Sequence, residues 1–314
     1  MPSSLPPCLI IAGPTASGKS AVAVALAELI GGEVVNADAF QLYQGMDICT
    51  AKPSLAERRN VPHHLLGVLP VAELCDAQRF RELALAAMNE VLGRGRWPIV
   101  VGGSGLYLKA LTHGLATLPP VDETLRAELA TLSKEQRVAR LLALDPDAAS
   151  NVALTNDRYV SRALEVCLLS GQPQSLLRRT WAAQPPQFMG VLLEREREAL
   201  YARINQRVLD MAAAGLVAEI AALGELSPTA AKAIGVREIR SHLAGESTLA
   251  TALEAMQLNS RHYAKRQNTW FRRETGFQTI CLGSDSTRDF AARLAVETFP
   301  CLFHPPQSAP FLST

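Results

Sequence analysis

The run Gly13, Pro14, Thr15, Ala16, Ser17, Gly18, Lys19, Ser20 spaces two glycines, a lysine and a hydroxyl residue as G-x-x-x-x-G-K-[ST]. That spacing is the signature of a phosphate-binding loop, or P-loop. Glycines at those two places let the chain wrap so that backbone N–H groups converge on phosphate oxygens at a helix N-terminus. Lys19 adds a point charge, and the Ser20 hydroxyl is placed to ligate Mg²⁺. A carboxylate, Asp38, follows the apolar run 33–36 (EVVN). Just past the end of a strand it would lie on the ligand side of a parallel sheet, where it suits either a metal-organising acid or a general base. A nucleoside triphosphatase usually ends a further apolar strand on an acid that holds Mg²⁺ through water. Here the run ending at Val101 leads instead into Gly102, Gly103, Ser104 and Gly105. Ser104 is open to two roles, a substrate contact or a helix N-cap.

These residues need elements to hold them. Residues 8–12 (CLIIA), 33–36 and 97–101 (WPIVV) are short apolar runs bounded by glycine or a polar turn, the pattern of buried parallel strands. Residues 21–30 and 76–93 have helical composition, with Gly31-Gly32 and Gly93 as stops. Alternation of this kind around a P-loop predicts a P-loop NTPase-like α/β fold, a parallel sheet with helices on both faces. Over 118–187 the chain offers helical segments and polar turns but no good strand. A strand-like run returns at 188–193 (FMGVLL), followed by a helix at 196–214. The expected organisation is therefore a core begun by 1–117, an inserted all-helical subdomain at 118–187, and the remainder of the core with C-terminal helices at 188–314. One continuous domain with a helical lobe is the alternative. The Pro-rich tail after Phe299 is expected to be loosely held.

Of the 314 residues, 48% are hydrophobic and 19% charged, too apolar for a disordered chain. With 31 basic and 30 acidic side chains the net charge is +1, so any nucleic-acid contact must come from local clustering. Six scattered cysteines form no C-x-x-C pair, which argues against structural zinc or a disulfide framework and for a reducing compartment. No signal peptide and no run of about 18 apolar residues is present, so a cytoplasmic protein with no membrane association is expected.

Three stretches together resemble one family, the tRNA dimethylallyltransferases of bacterial type: GPTASGKS at 13–20, DAFQLYQGMDICTAKP at 38–53 and GGSGLY at 102–107. Later segments are similar too, namely DRYVSRALE at 157–165, KAIGVR at 232–237 and AKRQNTW at 264–270. Two positions depart from the family pattern: Ala39 stands where serine is usual, and Cys49 where glycine is usual. The resemblance implies transfer of a dimethylallyl group from its diphosphate to N6 of the adenosine 3′-adjacent to the tRNA anticodon. It makes Asp38 the general base and Arg207, rather than Arg203 four residues earlier, the diphosphate arginine. The P-loop residues 13–20 and Mg²⁺ would hold the pyrophosphate. The implied tRNA contacts are Asp38, Ala39, Phe40, Gln41, Ser104 and Arg126, then Arg158, Tyr159, Val160, Ser161 and Arg162, then Lys232, Ala233, Ile234, Gly235, Val236 and Arg237. Gln41 has the right chemistry to read adenine's N6/N7 edge, and Gly235 would let backbone approach RNA. Residues 261–273 carry five Lys/Arg, no acid and interleaved aromatics. They suit phosphate binding and base stacking, or a helix whose aromatics face the core. No partner chain is required, so a monomer is expected. The rival readings are a P-loop small-molecule kinase and a prenyltransferase acting on free adenine nucleotide.

Overall fold

Short runs of Val, Ile and Leu with side chains alternating between two covered faces build the centre of the protein. In the computed structural model, which describes residues 5–115, 118–182, 188–283 and 286–306, six strands form one sheet. They are β1 (Leu9–Ala12), β2 (Glu33–Asn36), β3 (His63–His64), β4 (Pro98–Gly102), β5 (Met189–Glu194) and β6 (Gln278–Cys281). Their order is β3-β2-β4-β1-β5-β6, and every pairing is parallel. Ile10, Val35 and Val100 face one apolar layer, which receives the helices Ala77–Gly93, Gly105–His113 and Leu249–Phe271. Leu9, Val34 and Ile99 face the other, covered by the helices Lys19–Ile30 and Thr287–Arg293. Burying both faces removes about 1.5–3 kcal/mol worth of exposed side chain per Val, Leu or Ile. The P-loop-type α/β sheet with helices on both faces is thus the observed architecture.

The chain divides into two compact units. One takes residues 1–112 and 186–314; the other takes 113–185. The second unit is built from the helices Glu123–Ala130, Lys134–Leu144, Ala148–Asn151, Asp157–Ser170 and Gln174–Ala182. Leu129, Leu141, Val160 and Leu164 form its own buried core. Its buried Asp145 accepts from the backbone N–H of Ser175 at 2.8 Å and from that residue's hydroxyl at 2.7 Å. Both bonds offset the cost of taking a carboxylate out of water.

Two strands escaped the sequence reading for a physical reason. β3 is two residues long, and the edge strand β6 is largely exposed, so neither carries an apolar run. The expectation of a loose tail is corrected over 300–306. Leu302 is buried, and the Trp97 indole donates to the His304 carbonyl at 2.7 Å. The last residues, 307–314, lie outside the described ones. Among the described residues no helix is long and apolar enough to cross a membrane.

Candidate active site

The loop 13–18 joins β1 to the helix Lys19–Ile30, and its last glycine cannot be replaced cheaply. Gly18 has φ 100°, a left-handed conformation, and a Cβ there would lie 3.1 Å from Leu282. The Lys19 ammonium donates to the Pro14 carbonyl at 3.1 Å. Burial pulls its pKa down to about 8, against the attraction of Asp38 and with the help of Arg207's positive charge.

Asp38 follows β2 in a turn that fixes it from several sides. Its N–H donates to Asn36 Oδ1 at 3.1 Å, and its Oδ1 accepts from the Phe40 N–H at 3.0 Å. The next residue, Ala39, donates its N–H to Ser104 Oγ at 2.9 Å, which ties the Asp38 turn to the glycine loop after β4. Ser104 thus accepts from the Asp38 turn through its hydroxyl, and its carbonyl accepts the Leu108 N–H at 3.0 Å at the start of the helix Gly105–His113.

Two helices complete the site by presenting residues four and then three apart, which share one face. The helix Arg197–Ala213 brings Arg203, Arg207 and Asp210. Arg203 Nε donates to the Ala16 carbonyl at 3.1 Å, while Arg207 donates to Thr15 Oγ1 at 3.3 Å and to the Ala51 carbonyl at 3.2 Å. Burial lowers the Arg207 pKa and Asp38 and Glu57 raise it; a guanidinium so placed stays charged. The helix Leu249–Phe271 brings Tyr263, Gln267 and Trp270. Buried Gln267 accepts from the Thr15 N–H at 2.8 Å and donates to the Gly103 carbonyl at 2.9 Å, so one side chain clamps both glycine loops. Burial, with Asp38 nearby, pushes the Tyr263 phenol up.

The result is a cleft of about 440 Å³ that holds Lys19, Ser20, Asp38, Glu57, His63 and Arg207. A smaller cavity of about 70 Å³ opens from the same Thr15, Asp38 and Arg207 and is otherwise mostly apolar, with Phe40, Ile204, Val208 and Ile234 in its wall. Ser20 is exposed and Asp38 half-buried in the cleft, and both offer the hard oxygens that Mg²⁺ takes. Among the described residues no cluster of three His, Cys, Asp or Glu forms a metal cage. This donor set fits a Mg²⁺ that completes its shell with phosphate oxygens and water.

Gln41, Tyr263, Gln267 and His63 show what sequence types alone miss. Gln41 lines the cleft and spends its amide donors on the Thr50 and Ala51 carbonyls, both at 3.1 Å. His63 reaches the cleft from β3, with Nδ1 donating to the Val61 carbonyl at 2.8 Å and its pKa lowered chiefly by burial. The only local hint of His63 was its polar type beside an apolar neighbourhood. Gly235 is buried, with φ 106° and Met256 Cε 2.9 Å from where a Cβ would stand. Packing against Met256 demands that glycine.

The remaining expected contacts divide by exposure. Lys232 and Arg237 are exposed; Ala233 and Val236 are buried, and Ile234 and Ala233 face the smaller cavity. In the basic stretch 261–273, Phe271 is buried and Trp270 is packed against Gly105 and the core, while Lys265, Arg266, Arg272 and Arg273 are exposed. The aromatics face inward and the charges outward. In the helical unit Arg158 and Tyr159 are exposed and Ser161 is half-buried, but Val160 belongs to the core. Arg126 and Arg162 converge on the buried Glu165, at 3.4 and 2.8 Å.

The family model described as IPP transferase matches residues 41–274. The tRNA dimethylallyltransferase of Akkermansia muciniphila is 43% identical over 290 residues, covering 92% of this chain and 98% of that protein. That of an Anaeromyxobacter species is 46% identical, covering 91% and 98%. Among solved structures, the tRNA isopentenylpyrophosphate transferase of Bacillus halodurans superposes with a TM-score of 0.70 at 33% identity, over 94% of this chain and 96% of the other. A eukaryotic dimethylallyltransferase acting on tRNA superposes with a TM-score of 0.79 at 25% identity, over 97% and 82%. A phosphate loop, a carboxylate and an arginine gathered in one cleft, on a chain this similar from end to end, place the protein in the IPP transferase family, the tRNA dimethylallyltransferases.

Proposed function

We propose that the protein transfers the dimethylallyl group of dimethylallyl diphosphate to N6 of the adenosine 3′-adjacent to the anticodon in tRNA, with Asp38 as the base. The observation that carries this is the position of Asp38, in the wall shared by the cleft that holds Lys19 and Arg207 and the smaller, mostly apolar cavity. The N6 lone pair attacks C1 of the prenyl group, an N–C bond forms, and the C1–O bond to diphosphate breaks. The N6 proton passes to the Asp38 carboxylate, which offsets the poor nucleophilicity of a delocalised amine. Lys19, the N–H groups of Gly18, Lys19 and Ser20 at the helix N-terminus, and Arg207 receive the charge that grows on the departing pyrophosphate. Bound Mg²⁺ would supply further neutralisation of that charge, held by Ser20 with Asp38 close by. Exposed Lys232, Arg237, Lys265, Arg266 and Arg273 supply positive surface on the core unit, and Arg158 on the helical unit for an RNA backbone.

The test is incubation with Mg²⁺, labelled dimethylallyl diphosphate and unmodified tRNA, beside parallel reactions with AMP and ATP. Label on tRNA is the expected result. Label on the free nucleotide, or consumption of ATP without prenyl transfer, would replace this reading by one of its rivals.

A further inference from the structure

The turn 47–51 borders both cavities, with Thr50 in the wall of the cleft and Cys49, Thr50 and Ala51 in that of the smaller cavity. Two consecutive helices grip it from its two ends. Glu219, on the helix Leu216–Ala222, accepts the N–H groups of Asp47 and Ile48 on Oε2 at 2.8 and 2.7 Å, and that of Cys49 on Oε1 at 2.8 Å. All three donors are backbone groups, so the grip does not depend on which side chains the turn carries. Arg207, on the preceding helix Arg197–Ala213, donates from Nη2 to the Ala51 carbonyl at the other end of the turn, at 3.2 Å.

Ala51 has φ 49°, a left-handed conformation that a residue with a Cβ keeps only where its surroundings impose it. Here Glu219 fixes the N–H end of the turn, and the Gln41 amide holds the Thr50 and Ala51 carbonyls. The Ala51 carbonyl is thereby set within reach of the guanidinium. Among the described residues Arg207 meets two hydrogen-bond acceptors, Ala51 on Nη2 and Thr15 Oγ1 on Nη1. A guanidinium has five N–H donors in a rigid fork. The two acceptors therefore decide where the remaining donors point, and Arg207 lines the cleft.

We propose that Glu219 is a positioning residue: by pinning the turn 47–51 it fixes the Ala51 carbonyl, and through it the direction in which Arg207 presents its remaining donors to the diphosphate. This rests on the function proposed above, with Arg207 as the arginine that meets the leaving group. A misplacement of about 1 Å can cost about 10²-fold in rate, so a carboxylate that never touches substrate can control the step. Glu219→Gln keeps the shape but exchanges one acceptor oxygen for an NH₂ that only donates, and at least one of the three N–H groups loses its partner.

The experiment is a double-mutant cycle read by calorimetric titration of inorganic pyrophosphate, with Mg²⁺, into wild type, Glu219→Gln, Arg207→Met and the double variant. Glu219→Gln should weaken binding about tenfold where Arg207 is present, and should change it by less than about twofold beside Arg207→Met. Equal weakening in both backgrounds would overturn the proposal, because Glu219 would then act on the fold and not through the arginine. So would unchanged binding in the single variant. With tRNA and dimethylallyl diphosphate the loss should fall on the single-turnover rate, and an effect confined to KM for tRNA would also overturn it. If Glu219→Gln does not fold, Glu219→Asp, which keeps the charge and shortens its reach, carries the same cycle. Wild-type protein that binds no pyrophosphate would overturn this role and the function together. The expected coupling without any transfer to tRNA would sink the function alone.

Discussion

Gln267 and Thr15 lie 252 positions apart in the chain and are joined by a 2.8 Å hydrogen bond from the Thr15 N–H to the Gln267 amide oxygen. The same amide donates to the Gly103 carbonyl at 2.9 Å. A Cβ on Gly103 would collide with it, so the glycine and the glutamine occupy one space between them. The phosphate loop is therefore held from outside, by a helix near the end of the core.

Gln267→Ala should leave the buried Gly103 carbonyl without a partner, at about 1–3 kcal/mol, and the half-buried Thr15 N–H without one at a smaller cost. We expect a lower Tm, together with weaker binding of inorganic pyrophosphate by calorimetry, because the loop loses its support. A variant with normal pyrophosphate affinity and only a lower Tm would confine Gln267 to a structural role.

Asp38→Asn keeps an oxygen to accept the Phe40 N–H that Oδ1 takes at 3.0 Å, so the turn should survive. Loss of the base should lower the single-turnover rate by about 10²–10⁴-fold with little change in dimethylallyl diphosphate affinity. Turnover at the wild-type rate would remove Asp38 from the proton-transfer step.

Lys19 gives the binding step a pH dependence. Its pKa of about 8 in the free protein must rise when an anion binds beside it. Below pH 8 the ammonium is already charged and affinity is full. Above it, binding has to take up a proton, and affinity falls by up to tenfold per pH unit until the bound-state pKa is reached. Calorimetric titration of inorganic pyrophosphate on either side of that pH checks the sign. Lys19→Met should weaken binding and flatten this part of the profile.

Glu165 in the helical unit is almost fully buried and takes Arg162 at 2.8 Å, Arg126 at 3.4 Å and the Asp122 N–H at 3.0 Å. Burial raises its pKa, but Arg162, that N–H and Arg126 outweigh it and the net shift is downward. Its contribution to stability is thus present above the ordinary carboxylate range and lost as pH falls through the folded-state pKa. Glu165→Gln should destabilise by about 1–3 kcal/mol at neutral pH, a range reduced by the partial exposure of both arginines. The difference in Tm from wild type should shrink below about pH 4. An equal Tm difference at both pH values would show that shape, and not charge, matters there.

The sequence by itself determined whatever depends on neighbours in the chain. The glycine and lysine spacing of 13–20 and the apolar runs of β1, β2, β4 and β5 were legible, because loop wrapping and strand burial are set by a few adjacent residues. The basic, aromatic stretch 261–273 was legible as a feature but not in its orientation. A helix turned by its packing sends Tyr263, Gln267 and Trp270 inward and leaves Lys265 and Arg266 outside. Only the tertiary structure decided that Arg207 bonds Thr15, that Gln267 clamps two loops and that Gln41 spends its donors on backbone. It also decided that Arg126 and Arg162 share Glu165, and that His63 enters the cleft from a two-residue strand. In each case the partner is remote in the chain or is a backbone group, and no local pattern encodes which distant group packing will bring within 3 Å.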